Sequence, residues 1–180
     1  MLEPPGLQHL FELLHRRQSN DPRDPDVRLV VRARARDACE YCLMPTISQA
    51  HVDHIVPENR WSAFVARSLP IKPEGGEQGP NHLGNFAWTC PYCNTFKGNA
   101  ISGVLGGQTY PLFHPRRDTW SEHFALTDRS LFIPGLTQIG QVTEDVLKFN
   151  DRPSNGPLAA RHIAVIEGIY PPSWARGWSI

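Results

Sequence analysis

The feature that most narrows what this chain can become is its cysteine arrangement: all four thiols fall in two C-x-x-C turns, Cys39-Glu-Tyr-Cys42 and Cys90-Pro-Tyr-Cys93. Two thiolates spaced this way bite one metal ion, and two such bites complete a tetrahedral all-sulfur site of the kind zinc prefers. With sulfur at every position no place remains for a reacting water, so the zinc expected on Cys39, Cys42, Cys90 and Cys93 is structural. It would clamp both ends of the segment between them. The start of the chain has no basic stretch leading into an apolar one, and no apolar run is long enough to span a bilayer. These features predict a soluble, cytoplasmic protein with no membrane partner, in a compartment where thiols stay reduced and metal ligation outcompetes disulfides. A C-x-x-C thiol oxidoreductase would need a surrounding βαβ pattern, which this sequence does not display.

The chain has 180 residues, 40% of them hydrophobic and 20% charged, enough for one main core with appendages. Eighteen basic residues balance eighteen acidic ones, so any hold on a polyanion must come from local clusters and not from the overall field. Arg28, Arg32, Arg34 and Arg36 crowd one segment, and Arg116 and Arg117 sit together beyond the cysteines.

Three regions follow: an N-terminal helical segment (1–37), a core holding both cysteine turns (38–103) and a C-terminal extension packed on it (104–180). Leu7, Leu10, Phe11 and Leu14 recur at helical spacing. Asp24-Pro25 opens a second helix to about Arg36, with Val27, Val30 and Val31 as its buried stripe. Residues 47–55 read as a strand or hairpin closed by Pro57, Glu58 to Leu69 as a helix, and Pro70 to Pro80 as a loop. Further on, Thr143 is the expected cap of a helix containing Val146, Leu147 and Phe149, with Val142 stapled onto Leu147. A last helix is expected from Pro157, burying Ala159, Ile163, Ile166 and Tyr170. The fold class is α+β.

Between and beside the cysteine turns lie His51-Val-Asp53-His54-Ile-Val-Pro57, then Asn85, then Asn94 directly after Cys93, with Lys97 and Gly98 following. Phosphodiester hydrolysis needs a group to deprotonate water, a divalent ion to stabilise the developing charge, and positive charge to orient the phosphates. His54 is the candidate base. The Asp53 carboxylate and Asn94 carbonyl are hard oxygen ligands suited to Mg2+ or Mn2+. In an ideal strand Asp53 and His54 point to opposite faces, so a shared role requires a bent strand end, which Pro57 makes available. Lys97 has two readings: a phosphate contact, or a lysine that solvates a helix end capped by Gly98. The arginines likewise read as a solvated helix face or, for Arg32 and Arg36, as phosphate contacts alongside Arg116 and Arg117.

The stretch from Cys39 to Gly98 resembles the HNH endonucleases of the ββα-metal (His-Me finger) group, in the version carrying a four-cysteine zinc site. Shared are the first C-x-x-C, the Asp-His before a hydrophobic-x-Pro, the Asn before a hydrophobic run, and C-x-x-C-Asn with lysine and glycine after it. The resemblance implies a ββα-metal core in which His54 is general base and Asp53 and Asn94 hold one divalent ion. It also implies that Asn85 braces the histidine-bearing loop. The 111–116 and 120–124 stretches look like an extension found in compact members, although His114 stands where asparagine is expected and is either a further metal ligand or a packed histidine. The segment from Glu58 to Leu83 is longer than the usual connector. The implied partner is nucleic acid, DNA or else RNA, and a nuclease of neutral charge would draw on a protein partner or a second copy to find its target. The rival expectation is a non-catalytic zinc-stabilised module that binds nucleic acid or protein.

Overall fold

The computed structural model describes residues 20–46, 49–67, 79–127, 131–151 and 156–178. The expected helix through Leu7 and Leu14 and most of the Pro70–Pro80 loop lie outside them. In chain order the elements are α1 (Pro25–Arg34), β1 (His51–His54), α2 (Glu58–Arg67), β2 (Phe86–Thr89), α3 (Pro91–Lys97), β3 (Ser102–Leu105), β4 (Gln108–Pro111), α4 (Trp120–His123), α5 (Gln138–Leu147) and α6 (Pro157–Ile166). Helices thus mix with two small antiparallel sheets, β1–β2 and β3–β4, which is an α+β fold.

α1 starts as its sequence dictates. The Asp24 carboxylate accepts the Asp26 amide at 2.8 Å, and Pro25 occupies the first turn, where its missing N–H costs nothing. Val27, Val30 and Val31 are buried against Ala35, Phe86 and Trp88. The helix stops short of Arg36 because Arg36 and Asp37 both take left-handed backbone angles. Arg34 then reaches from the last turn to the Leu83 and Phe86 carbonyls at 3.0 and 2.8 Å, fastening α1 to the entry of β2.

β1 is shorter than the 47–55 run expected of it. It pairs antiparallel with β2 in the register His51↔Thr89 through His54↔Phe86. β2 is buried at all four positions, so it has a covered face on both sides. Cys90 caps α3, Pro91 opens it and Gly98, at φ +46°, ends it. β3 and β4 are joined by Gly106-Gly107, both at positive φ, as a two-residue hairpin turn requires.

Two expectations in the C-terminal region fail, for identifiable reasons. The helix assigned to Thr143 begins earlier, at Gln138, with Thr137 as its cap through the Gly140 amide. Thr143 sits inside it, fully buried, donating to the Ile139 carbonyl at 2.7 Å and accepting the Phe113 amide at 2.8 Å. An early start lets Val142 and Val146 pack against Gly103 of β3. In α6, Ile163 and Ile166 are 58% and 74% exposed, and the inward residues are Arg161 and Ala164. The Arg161 guanidinium is wholly buried, donating to the carbonyls of Leu131 and Phe149 at 2.7 and 2.9 Å and lying over the Tyr170 ring. That set of acceptors turns the helix so that a charged side chain faces inward, which an apolar-periodicity argument cannot foresee.

Candidate active site and four-cysteine centre

Cys39, Cys42, Cys90 and Cys93 are all buried in the larger core, and their sulfur atoms lie within 4.8 Å of one another. The Cys42–Cys90 Sγ separation of 3.7 Å fits the edge of about 3.8 Å for a sulfur tetrahedron with metal–sulfur bonds near 2.3 Å. The four together could hold a metal ion such as zinc. Their surroundings hold the cluster in place. The Glu40 backbone N–H donates to the Trp88 carbonyl at 2.9 Å and the Glu40 carboxylate accepts the Trp88 amide at 2.8 Å, stitching the first cysteine turn to β2. Trp120 Nε1 donates to the Tyr41 carbonyl at 2.8 Å and the Tyr170 hydroxyl to that of Cys42 at 3.2 Å, so the C-terminal region closes over the same turn.

α3 begins at this cluster and ends at Lys97, beneath β1. Lys97 is 3% exposed, and its Nζ forms an ion pair with Asp53 Oδ2 and donates to the His54 carbonyl, both at 2.8 Å. Burial lifts the Asp53 carboxyl above its ordinary range, with the Lys97 ammonium pulling the other way. Asn94 precedes Lys97 by three positions on α3 and so shares its helix face.

His54 turns the opposite way from Asp53. Its ring stands edge-on to Phe86 at 5.1 Å, and its Nε2 lies 2.7 Å from Asn81 Oδ1 and 3.7 Å from Glu58 Oε1. It borders a polar cavity of about 480 Å³ together with Asn20, Asp21, Arg23, Glu58 and Asn81. Behind it, Asn85 is buried. Its Oδ1 accepts the Val56 amide at 2.8 Å, while its Nδ2 donates to the carbonyls of Val56 and Pro80, both at 2.9 Å. The Ile55 amide donates in turn to the Asn85 carbonyl at 2.8 Å.

Lys97 thus ties Asp53 to the backbone of His54, and Asn85 braces the turn after it, but the Asp53 and His54 side chains leave β1 on opposite faces, as in an ideal strand, and not together as a shared role at a bent strand end requires. The basic residues considered for phosphate binding do not gather. Lys97 is internal, Arg116 is paired with Glu40, and Arg32 is paired with Asp37. Arg36 lies over the Trp174 ring at 5.6 Å, and Arg117 is exposed with its guanidinium 6.0 Å from the Phe64 ring. His114 is a packed residue: its Nδ1 accepts the Arg116 amide at 3.2 Å, its own amide donates to Asp118 at 2.7 Å, and burial pulls its imidazole down to about 4. His51 is exposed at the head of β1. Two residues at the site escaped sequence reasoning. Glu58 had a usable signal, since it follows His54 by four positions at a helix start. Asn81 had none, because it comes in from the far end of a loop.

No protein-family model matches this chain, and no curated protein or solved structure does. Among the described residues, no helix is long and apolar enough to cross a membrane.

Proposed function

We propose that this protein is an HNH-type endonuclease with a ββα-metal core, hydrolysing phosphodiester bonds in DNA, or in RNA, with zinc on the four cysteines as a structural brace. The observation that carries this reading is the Asn85 side chain, which grips both polar groups of the Val56 backbone two residues beyond His54. That is the loop-bracing role the sequence resemblance gives to this asparagine.

In the proposed reaction His54 takes a proton from a water positioned to attack phosphorus. Asn85 fixes the turn that presents the imidazole, and Phe86 fixes the plane of the ring. Asp53 and Asn94 would hold the divalent ion, whose chemistry would be positive charge offered to the reacting phosphate and the departing oxygen. Lys97 keeps the Asp53 carboxylate from rotating and ties it to the backbone of His54. A second reading, the non-catalytic zinc module, is favoured by one observation: Lys97, Arg116 and Arg32 are all engaged in ion pairs within the chain.

The two readings separate on supercoiled plasmid DNA and a folded RNA incubated with Mg2+ or Mn2+. Nicking that EDTA and His54→Ala abolish, with zinc content and circular dichroism of the variant unchanged, supports the endonuclease. Binding without cleavage under every metal condition supports the module.

A further inference from the structure

We infer that Asn81, assisted by Glu58, is a positioning residue that holds His54 in the Nε2–H tautomer and so makes Nδ1 the atom that accepts the proton. A neutral imidazole carries one N–H, and the partner of each nitrogen decides where it sits. At Nε2 both neighbours are acceptors: the Asn81 amide oxygen at 2.7 Å, which can only accept, and the Glu58 carboxylate at 3.7 Å. Nε2 must therefore donate, and the lone pair is left on Nδ1. Turning the ring over would break the 2.7 Å bond and disturb its edge-on seat against Phe86.

Asn81 is itself held. The Asn85 Nδ2 that grips the Val56 carbonyl also grips that of Pro80, the residue before Asn81. One carboxamide thus fixes the histidine and the residue that orients it to the same point, although they come from opposite ends of a long loop. The half of the inference that concerns catalysis rests on the endonuclease reading; the location of the proton does not. In the step itself, a water proton passes to Nδ1 as the water oxygen bonds to phosphorus and the bond to the leaving oxygen breaks. The imidazolium so formed keeps its Nε2–H on Asn81, beside the Glu58 carboxylate. It then returns the Nδ1 proton to solvent, and the leaving oxygen is protonated from water.

The test is long-range proton–nitrogen NMR on the full-length, zinc-loaded chain with 15N-labelled histidine, near pH 8 where a free imidazole is neutral, with His54 assigned by His54→Gln. The expected result is a protonated-type shift at Nε2 and a bare-nitrogen shift at Nδ1. Asn81→Leu should move both toward the averaged values of mixed tautomers, and Asn81→Asp, which keeps an acceptor, should restore them. In the plasmid assay Asn81→Leu should lower kcat by roughly 10–100-fold, by analogy with the loss seen when the orienting partner of a metal-ligating histidine is removed, with KM unchanged. Protonated Nδ1 in the wild-type protein, or shifts indifferent to Asn81→Leu, would overturn the inference. A wild-type protein that cleaves nothing refutes the endonuclease reading alone, since the nitrogen shifts still decide where the proton sits.

Discussion

Replacing Lys97 with Met tests how the floor of the site is held. Methionine fills most of the volume of the lysine stem, so the change removes charge and donors more than packing. Two groups lose their partner: the Asp53 carboxylate, whose side chain is only 14% exposed, and the His54 carbonyl. Stranding one member of a buried ion pair costs about 3–5 kcal/mol, and an unsatisfied carbonyl adds about 1 kcal/mol or more. Against a total stability of about 5–15 kcal/mol that is a severe lesion. Asp53 has one way out, which is to take a proton, and this gives the loss a pH dependence of known sign. Its carboxyl is raised by burial from the ordinary 3.8. Its contribution is therefore fully present below 3.8 and is lost as pH rises through the folded value. Removing Lys97 raises that folded value further, so the deficit relative to wild type should widen as pH rises above the ordinary carboxyl range. Urea unfolding near pH 5.5 and near pH 8, with zinc saturating to keep the thiolates metallated, should show a smaller deficit at the lower pH. The double variant Lys97→Met/Asp53→Asn should recover part of the loss and flatten its pH dependence. A deficit equal at both pH values, or a double variant no more stable than the single one, would refute the ion-pair account.

With zinc on the four cysteines as proposed, chelating it should abolish cooperative near-ultraviolet melting, because structural zinc sites contribute about 10–16 kcal/mol, as much as a whole domain's stability; on the endonuclease proposal, withdrawing magnesium should stop cleavage and leave the melt untouched. Identical melts with and without zinc would disprove the first claim. Asn85→Ala leaves the Val56 amide and carbonyl without a partner and takes from the Pro80 carbonyl one of its two donors, the other being the His82 amide, and should cost about 2 kcal/mol or more, a value that a urea titration showing under 1 kcal/mol would contradict. His114 should still be neutral at about pH 5.5 by imidazole NMR: its lowered folded value of about 4 means that its contribution is present above 6.5 and lost as pH falls from 6.5 toward 4. A midpoint near the ordinary value would show that it is not packed as described. Gly140→Ala would put a methyl 2.1 Å from the His123 carbonyl oxygen, so the α4–α5 contact must shift at a cost of about 1–3 kcal/mol, read as a fall in Tm.

The cysteine cluster was legible in the sequence because two C-x-x-C pairs have few other uses, whereas a bracing role for Asn85 was implied only by the resemblance to the HNH endonucleases. α1 was legible too, its cap, proline and valine stripe all agreeing. The faces of α5 and α6 were not. Thr143 looks like a cap to any rule based on residue type, yet here its hydroxyl serves the Phe113 amide, 30 positions away. Arg161 is buried because carbonyls from two other segments converge on it, and only the folded chain brings those together. The same reasoning covers Lys97, whose alternatives at the sequence level were both solvent-facing while its actual partners lie on β1.

The Asn85 hydrogen bonds have a consequence for how this chain can vary. The excursion that leaves after Val56 and returns at Pro80 has its two ends fastened to the same carboxamide. Lengthening such a closed loop costs only about 0.6 kcal/mol per doubling, and the stem at Asn85 keeps that cost from reaching His54. The place of His54 is therefore set at that stem, by one buried carboxamide, and not by the length of chain between the two ends.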